Sequence, residues 1–171
     1  MNRQTFKIKK TFVLPFAAVV SLLFVLLMLS FAKGQLGERI ILAVSCLGTA
    51  AVCIEASQRE ITIGDDGLTI KKFFRIKDFS WKEITHLAVV NIGKKAYFLL
   101  TTTKGFYFFS NMYEQHASLI KSMVDKLDAE KVEVEVKDYL EHPVERLSII
   151  LLGWLAAVLV LVFIILKLWA V

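Results

Sequence analysis

The chain has 171 residues and a net charge of +5, and 56% of its residues are hydrophobic. Soluble domains take about 100–150 residues and average about 45–50% apolar residues. This chain is therefore too short for a multidomain enzyme, and its composition indicates that a bilayer covers part of its apolar surface. Residues 59–126 carry eleven Lys and Arg against seven Asp and Glu, whereas residues 128–145 carry two against seven. Because basic residues also cluster beside the apolar blocks, the positive charge does not indicate a nucleic-acid partner.

Three blocks without charged side chains predict transmembrane helices. Residues 12–32 and 147–166 contain 21 and 20 residues, respectively, and a span needs roughly 20. We place the third span at 147–168. The second block is shorter, with fifteen uncharged residues between Arg39 and Glu55, and we place this span at 40–56. The short connector with two glycines predicts that residues 12–56 form a transmembrane hairpin.

The flanking charges predict an orientation. Four basic residues precede the first span, whereas two follow it, Lys33 and Arg39. By the positive-inside rule, the basic segment 1–11 is cytoplasmic. After two crossings the middle of the chain is also cytoplasmic, and the C-terminus is external. If residues 40–56 do not cross, the middle of the chain moves outside.

The second block contains both cysteines and a cluster of small residues. On a helix, the Cα atoms of Cys46 and Cys53 would lie roughly 10 Å apart, which is too far for a disulfide. We expect two packed, small apolar residues. Gly48 and its small neighbours Ala50 and Ala51 could support close helix packing, or the helix could simply be small and apolar.

Residues 58–128 predict a β-rich domain. Short runs rich in Ile, Thr, Phe, Tyr and Val alternate with turn residues at intervals of about ten, which is typical of antiparallel structure. We predict a meander of six strands. They are residues 61–63, 68–70, 75–80, 85–92, 96–102 and 106–109. Asp66-Gly67 is a strong hairpin signal, and we interpret Asp65 and Asp66 as turn residues rather than a catalytic pair.

One amphipathic helix is predicted after the strands. Ser110 is a plausible N-cap, and apolar residues recur at helical spacing up to Leu127. His116 falls on or beside this stripe, so we expect a packed histidine rather than a ligand.

These patterns resemble the bacterial PH-like domain, found in small membrane proteins after a transmembrane hairpin. The resemblance covers residues 58–128. It is carried by segments 61–63, 66–68, 80–84 and 103–105 and by the helix at 111–127. It implies a noncatalytic cytoplasmic domain at a bacterial inner membrane. PH domains that bind phosphoinositides have basic residues around the first hairpin; Asp65 and Asp66 stand here, so that specificity is not implied.

The acidic connector at 129–146 contains Val132-Glu133-Val134-Glu135-Val136, an alternation that predicts an exposed strand. It could extend a sheet edge, pair with a partner, or neutralise the domain's own basic strands. Several predicted strands are apolar on both faces. The connector, the bilayer surface or a partner could cover their second face. Alternatively, the strands form a more fully closed barrel that needs no external partner.

Neither a catalytic constellation nor a cofactor motif is recognisable. We therefore expect no enzymatic activity, no cofactor and no metal. The candidate binding surface is basic, and its members are Lys71, Lys72, Arg75, Lys77, Lys94 and Lys95. A solvated face without a ligand is the alternative.

Three functional hypotheses remain open. In the first, a cytoplasmic PH-like domain binds a partner protein or scaffolds a membrane assembly, including one by self-association. In the second, the basic strands contact anionic membrane lipid. In the third, the chain is a small transporter or channel accessory subunit, although the absence of ionisable residues from the span cores argues against it.

Overall fold

The computed structural model describes residues 3–145 and 147–169, which fall into two compact units. The β unit comprises the described residues of 1–9 and 58–147, and the helical unit comprises those of 10–57 and 148–171. Five α-helices and seven strands in two antiparallel sheets form in this part of the chain. The predicted combination of long apolar helices with antiparallel β structure is confirmed.

The helical unit contains three helices that are long and apolar enough to cross a membrane. They are α1 (Lys10–Lys33), α2 (Leu36–Gln58) and α5 (Ser148–Trp169). All three predicted blocks therefore lie in helices. Helices α1 and α2 extend beyond their predicted limits, because polar residues at their ends continue the backbone hydrogen bonding. Helix α5 has the predicted length and is shifted by one residue.

Contacts within the helical unit set the directions of these helices. Gly153, early in α5, packs against Pro15, early in α1. At the other end, Lys167 forms an ion pair with Glu38 at the start of α2. Helices α1 and α5 therefore run parallel.

The turn between α1 and α2 is held by one arginine. The Arg39 guanidinium donates from Nε to the Ser30 carbonyl at 3.1 Å and from Nη2 to the Gly34 carbonyl at 2.9 Å. The Ser30 carbonyl also accepts from the Gly34 backbone amide at 2.6 Å, so the arginine adds a second bond at the end of α1. The short predicted connector is present, but α1 packs along α5 rather than along α2, so the packed hairpin stays a prediction.

The small residues of α2 do not mediate close packing in this structure, since a Cβ on Gly48 would meet no atom within 4 Å. The close approach is instead made by Gly153 of α5. Cys46 is buried, Cys53 is half-buried, and neither is in a disulfide. The prediction against a disulfide is confirmed.

The first sheet of the β unit has the strand order β1-β2-β3-β4. Its strands are β1 (Gln4–Lys7), β2 (Glu60–Ile63), β3 (Gly67–Lys72) and β4 (Arg75–Ser80). Alternate residues of this sheet face the core, as the period of two requires. Phe6, Ile61, Leu68 and Phe79 are each at most 6% exposed.

Strand β1 was not predicted. The basic segment before the first span pairs antiparallel with β2, with Gln4 opposite Ile63 and Lys7 opposite Glu60. Backbone contacts continue the connection, because Lys9 donates to Met112 and Glu114 donates to Lys7. The segment is therefore part of the β unit rather than a separate tail.

The second sheet has the order β5-β6-β7 and comprises β5 (Ile84–Ile92), β6 (Lys95–Thr102) and β7 (Gly105–Ser110). All six predicted strands are present, as β2 to β7. The prediction of one meander is wrong, because the sheet is interrupted after β4. A single turn of 3-10 helix at Trp81–Glu83, capped by Ser80, redirects the chain there.

The helix that follows the strands is shorter than predicted. Helix α3 spans His116–Val124, and its N-cap is Gln115 in the left-handed conformation, not Ser110. Ser110 is instead the last residue of β7. The apolar stripe was read correctly, since Leu119, Ile120 and Met123 are at most 1% exposed.

The strand predicted in the acidic connector is wrong. Val132 forms one isolated bridge to Leu87, and the chain then forms helix α4 (Val134–Glu141). Val136 and Tyr139, three positions apart, are 0% and 1% exposed. The connector is thus a packed part of the β unit and covers β5. Residue 146, the last of this predicted segment, lies outside the described residues.

Candidate functional site

The predicted basic surface is divided among three places. Lys72, Arg75 and Lys77 share one face of the β3–β4 hairpin with Ile70 and line a groove. Lys71 lies on the opposite face, with its ammonium 3.7 Å from Glu60.

The other two predicted bases belong to a different hairpin. Lys94 and Lys95 lie at the β5–β6 turn in the second sheet. The six residues therefore do not form one continuous patch.

The groove lies between the β3–β4 hairpin and β7 and has a volume of about 520 Å³. Lys77 Nζ donates to the Tyr107 hydroxyl at 3.0 Å and lies 4.9 Å from the centre of that ring. Phe79 packs on the same ring at 4.5 Å. These contacts hold the Lys77 side chain on an aromatic surface, which orients a positive charge along the groove.

The wall of the groove formed by β7 is apolar and open. Phe106 and Phe108 are 68% and 60% exposed, whereas Phe109, which points inward, is 6% exposed. The sequence correctly indicated an apolar second face on this strand. Tyr139 of α4 packs on Phe98, which is on the same face of the sheet as Phe109. The outward-facing Phe106 and Phe108 remain uncovered.

The first hairpin, at residues 64–67, closes as a turn. Gly64 donates to the Gly67 carbonyl at 2.9 Å. The Trp81 indole nitrogen donates to the carbonyls of Gly64 and Asp65 at 3.2 and 3.1 Å. The Asp65 carboxylate accepts from Lys126 at 3.3 Å. The interpretation of Asp65 as a turn residue is confirmed.

His116 is a packed residue, as predicted. It is 6% exposed, and its ring lies 6.0 Å from that of Tyr139. Neither ring nitrogen makes a hydrogen bond of standard geometry within the described chain. Burial, and then the nearby Lys9 charge, lower the pKa of His116 below its ordinary value.

A polar bridge lies beside this cluster. Lys9 Nζ donates to Glu145 Oε1 at 2.7 Å, and this bond lowers the pKa of the Glu145 carboxyl. Another connector acid, Glu133, lies 2.7 Å from His86 Nε2. These two acids thus contact residues outside the predicted basic surface, so the prediction that they neutralise it is not supported.

Asn111 connects two distant segments of the β unit, a role that the sequence did not predict. It is 1% exposed, and its Nδ2 donates to the Val144 carbonyl at 2.6 Å and to the Lys94 carbonyl at 3.5 Å. One amide thereby joins the β5–β6 turn to the segment that precedes α5. Only the folded arrangement brings these two carbonyls together, so no local pattern could have indicated this role.

Within residues 3–145 and 147–169, no three His, Cys, Asp or Glu side chains come together as a metal site. The expectations of no metal, no cofactor and no catalysis stay predictions. In comparisons with protein-family models, curated proteins and solved structures, nothing matches this chain.

Proposed function

We propose that this chain is a noncatalytic, multi-pass membrane protein whose β unit is a cytoplasmic interaction module for a partner protein. The observation that carries the interaction role is the groove beside β7. Folded domains rarely leave large aromatic side chains together in water, and such patches mark binding surfaces. Phe106 and Phe108 are exposed next to Lys77.

The membrane part of the proposal is supported by the three long apolar helices and by the pairing of β1 with β2. Residues 4–7 and 60–63 belong to one folded sheet, so both must lie on the same side of a bilayer. The chain between them must then cross an even number of times, which agrees with two spans. The excess of basic residues before α1 supports the cytoplasm as this side.

The resemblance to the bacterial PH-like domain supports a binding role rather than a catalytic one. That resemblance implies short antiparallel strands followed by one helix, and the β unit has this order from β2 to α3. A domain of this kind presents strand edges and hairpins, on which an extended or helical segment can dock.

The chemistry of the groove selects the kind of partner. Its walls are aromatic, and its cations are Lys72, Arg75 and Lys77. A segment that carries apolar and acidic side chains complements both features, and opposite charges also accelerate its encounter with the groove. The proposed partner therefore presents an acidic, apolar segment at the membrane surface.

The test is photo-crosslinking in cells from a photoreactive residue that replaces Phe106. We expect one discrete protein adduct, and we expect the additional change Lys77→Glu to abolish it by reversing the charge in the groove. The control places the same residue at Lys121, which is exposed on α3, away from the groove-lining residues.

An adduct that persists with Lys77→Glu, or that forms equally from position 121, would contradict the proposal. An adduct between two copies of this chain would show that the groove binds a second copy rather than a different protein.

A further inference from the structure

The tip of the β3–β4 hairpin has an unfavourable backbone conformation. Phe73 and Phe74 have φ angles of 51° and 56°. Two-residue hairpin turns of this left-handed type favour Asn and Gly, because a bulky side chain collides with its own backbone. Both side chains are nevertheless largely exposed, at 60% and 69%.

Basic side chains lie on both sides of this tip. Lys72 and Arg75 are directly opposite each other in the strand register, and like charges at such positions repel. The Arg59 guanidinium and the Lys72 ammonium each lie 5.2 Å from the centre of the Phe73 ring. These two cations are attracted to the ring. A strained backbone that presents exposed aromatic and basic side chains together at one point indicates a functional surface.

The strand register places this tip at a defined end of the sheet. Glu60 is paired with Lys7 on one side and with Lys71 on the other. The tip therefore lies at the end where β1 finishes and β2 begins. In the chain, those strand ends are the residues next to α1, which begins at Lys10, and α2, which ends at Gln58.

A second hairpin tip also combines an exposed apolar side chain with basic residues. At the β5–β6 turn, Ile92 is 61% exposed and is followed by Gly93 and then Lys94. Asn111 bonds this turn to Val144, four residues before α5 begins at Ser148. Both tips thus combine an exposed apolar residue with basic neighbours, and both lie near points where the chain leaves the β unit for a long helix.

We propose that these two tips, residues 72–75 and 92–95, dock on the anionic lipid surface of the membrane, an inference that rests on the membrane insertion proposed above. Phe73, Phe74 and Ile92 enter the headgroup boundary, where apolar and aromatic side chains are favoured. Their basic neighbours bind the lipid phosphates and the other anionic headgroup charges.

The ligand is a surface rather than one enclosed headgroup, because the apolar side chains project from exposed turns. Lys72 and Arg75 belong to both the groove and the first tip, whereas Phe106 and Phe108 belong to the groove alone and Phe74 to the tip alone. The two roles are therefore separable by labelling different residues.

The experiment uses the full chain in nanodiscs, in the Cys46→Ala/Cys53→Ala background. A fluorescent bimane label is attached at Phe74→Cys, and the lipids carry bromine quenchers near the top of the acyl chains. We expect quenching that rises at least about twofold when phosphatidylglycerol is added to phosphatidylcholine. The matched control is Phe106→Cys, an equally exposed phenylalanine on β7, which we expect to stay unquenched.

A second variant tests whether the strained tip serves lipid contact. Phe73→Asn/Phe74→Gly supplies the residues that this turn favours, so we expect a higher thermal unfolding temperature. With the label at Ile92→Cys, we expect the same variant to reduce quenching. A label at position 92 whose quenching is unchanged in this variant would overturn the joint docking of the two tips.

A third label separates the two proposals. Leu159→Cys lies in the middle of α5 and is exposed, and bromines deep in the acyl chains should quench it. If position 159 is quenched while position 74 is not, lipid docking is overturned and membrane insertion stands. If position 159 is not quenched, the insertion itself is overturned.

Discussion

His116 shows what the sequence reveals about a single residue and what it conceals. Its position on an apolar stripe predicted packing, because residues three and four positions apart share a helix face. Its protonation depends on neighbours that are distant in the chain. Tyr139 lies beside the ring, and the charge of Lys9 opposes protonation. Only the folded chain brings these groups together.

Acidification should destabilise the protein through His116. Because the folded pKa lies below its ordinary value near 6.5, the unfolded chain binds the proton first as the pH falls. The free energy of unfolding should then decrease below about pH 6.5, by at most about 1.4 kcal/mol for each pH unit. Thermal unfolding of the full chain in detergent micelles, measured from about pH 8 to about pH 5, checks this prediction.

His116→Phe should remove that part of the pH dependence, since the apolar ring keeps the packing and does not titrate. His142→Phe, at an exposed position, controls for the loss of a histidine. An unchanged pH dependence in His116→Phe would assign the effect to other groups.

Phe73 and Phe74 are the residues least predictable from sequence. Lys-Lys-Phe-Phe-Arg contains none of the residues that favour left-handed turns. The turn nevertheless forms here because the strands on either side are in register, with Leu68 opposite Phe79 and both buried. The tertiary core thus imposes a conformation that local preference opposes.

At the scale of elements, the six predicted strands are present because a period of two and intervening turn residues are local signals. The same local signal gave a wrong prediction for the acidic connector. Its alternating valines predicted a strand, but Val136 and Tyr139 also have the spacing of one helix face. Burial against β5 favoured the helix, a choice that the segment alone does not determine.

Two valines of this connector provide a matched comparison. Val136 is 0% exposed and Val134 is 75% exposed, so the same truncation has different consequences. Val136→Ala should lower the free energy of unfolding by about 2 kcal/mol through lost burial and a residual cavity. Val134→Ala should change it by less than about 0.5 kcal/mol.

Denaturant unfolding of both variants, followed by the fluorescence of Trp81 with Trp154 and Trp169 replaced by Phe, measures the difference. Equal effects at positions 134 and 136 would contradict the packed helix.

For the whole molecule, the pairing of β1 with β2 has the largest consequence. The sequence left open whether residues 40–56 cross the bilayer. Because β1 and β2 pair in one sheet, the proposed insertion places both on the same side of the bilayer. The pairing therefore predicts that residues 4 and 66 are on one side of the membrane and that the α1–α2 turn is on the other.

Cysteine accessibility in intact cells measures sidedness. In the Cys46→Ala/Cys53→Ala background, an impermeant maleimide should label Gln35→Cys in the α1–α2 turn from outside. It should label Gln4→Cys and Asp66→Cys only after lysis, because both lie in the proposed cytoplasmic unit. Different responses at positions 4 and 66 would contradict the β1–β2 pairing, and a reversed pattern would invert the orientation.

The sequence by itself determined the three long apolar helices, the strands β2 to β7 and the apolar stripe of α3. Each of these is encoded by a local period and by local turn residues. Tertiary structure alone decided that residues 4–7 form a strand, that the connector is helical, and that the bases at 71–77 lie on two faces. These outcomes depend on partners distant in the chain, whose burial and backbone hydrogen bonds outweigh local preference.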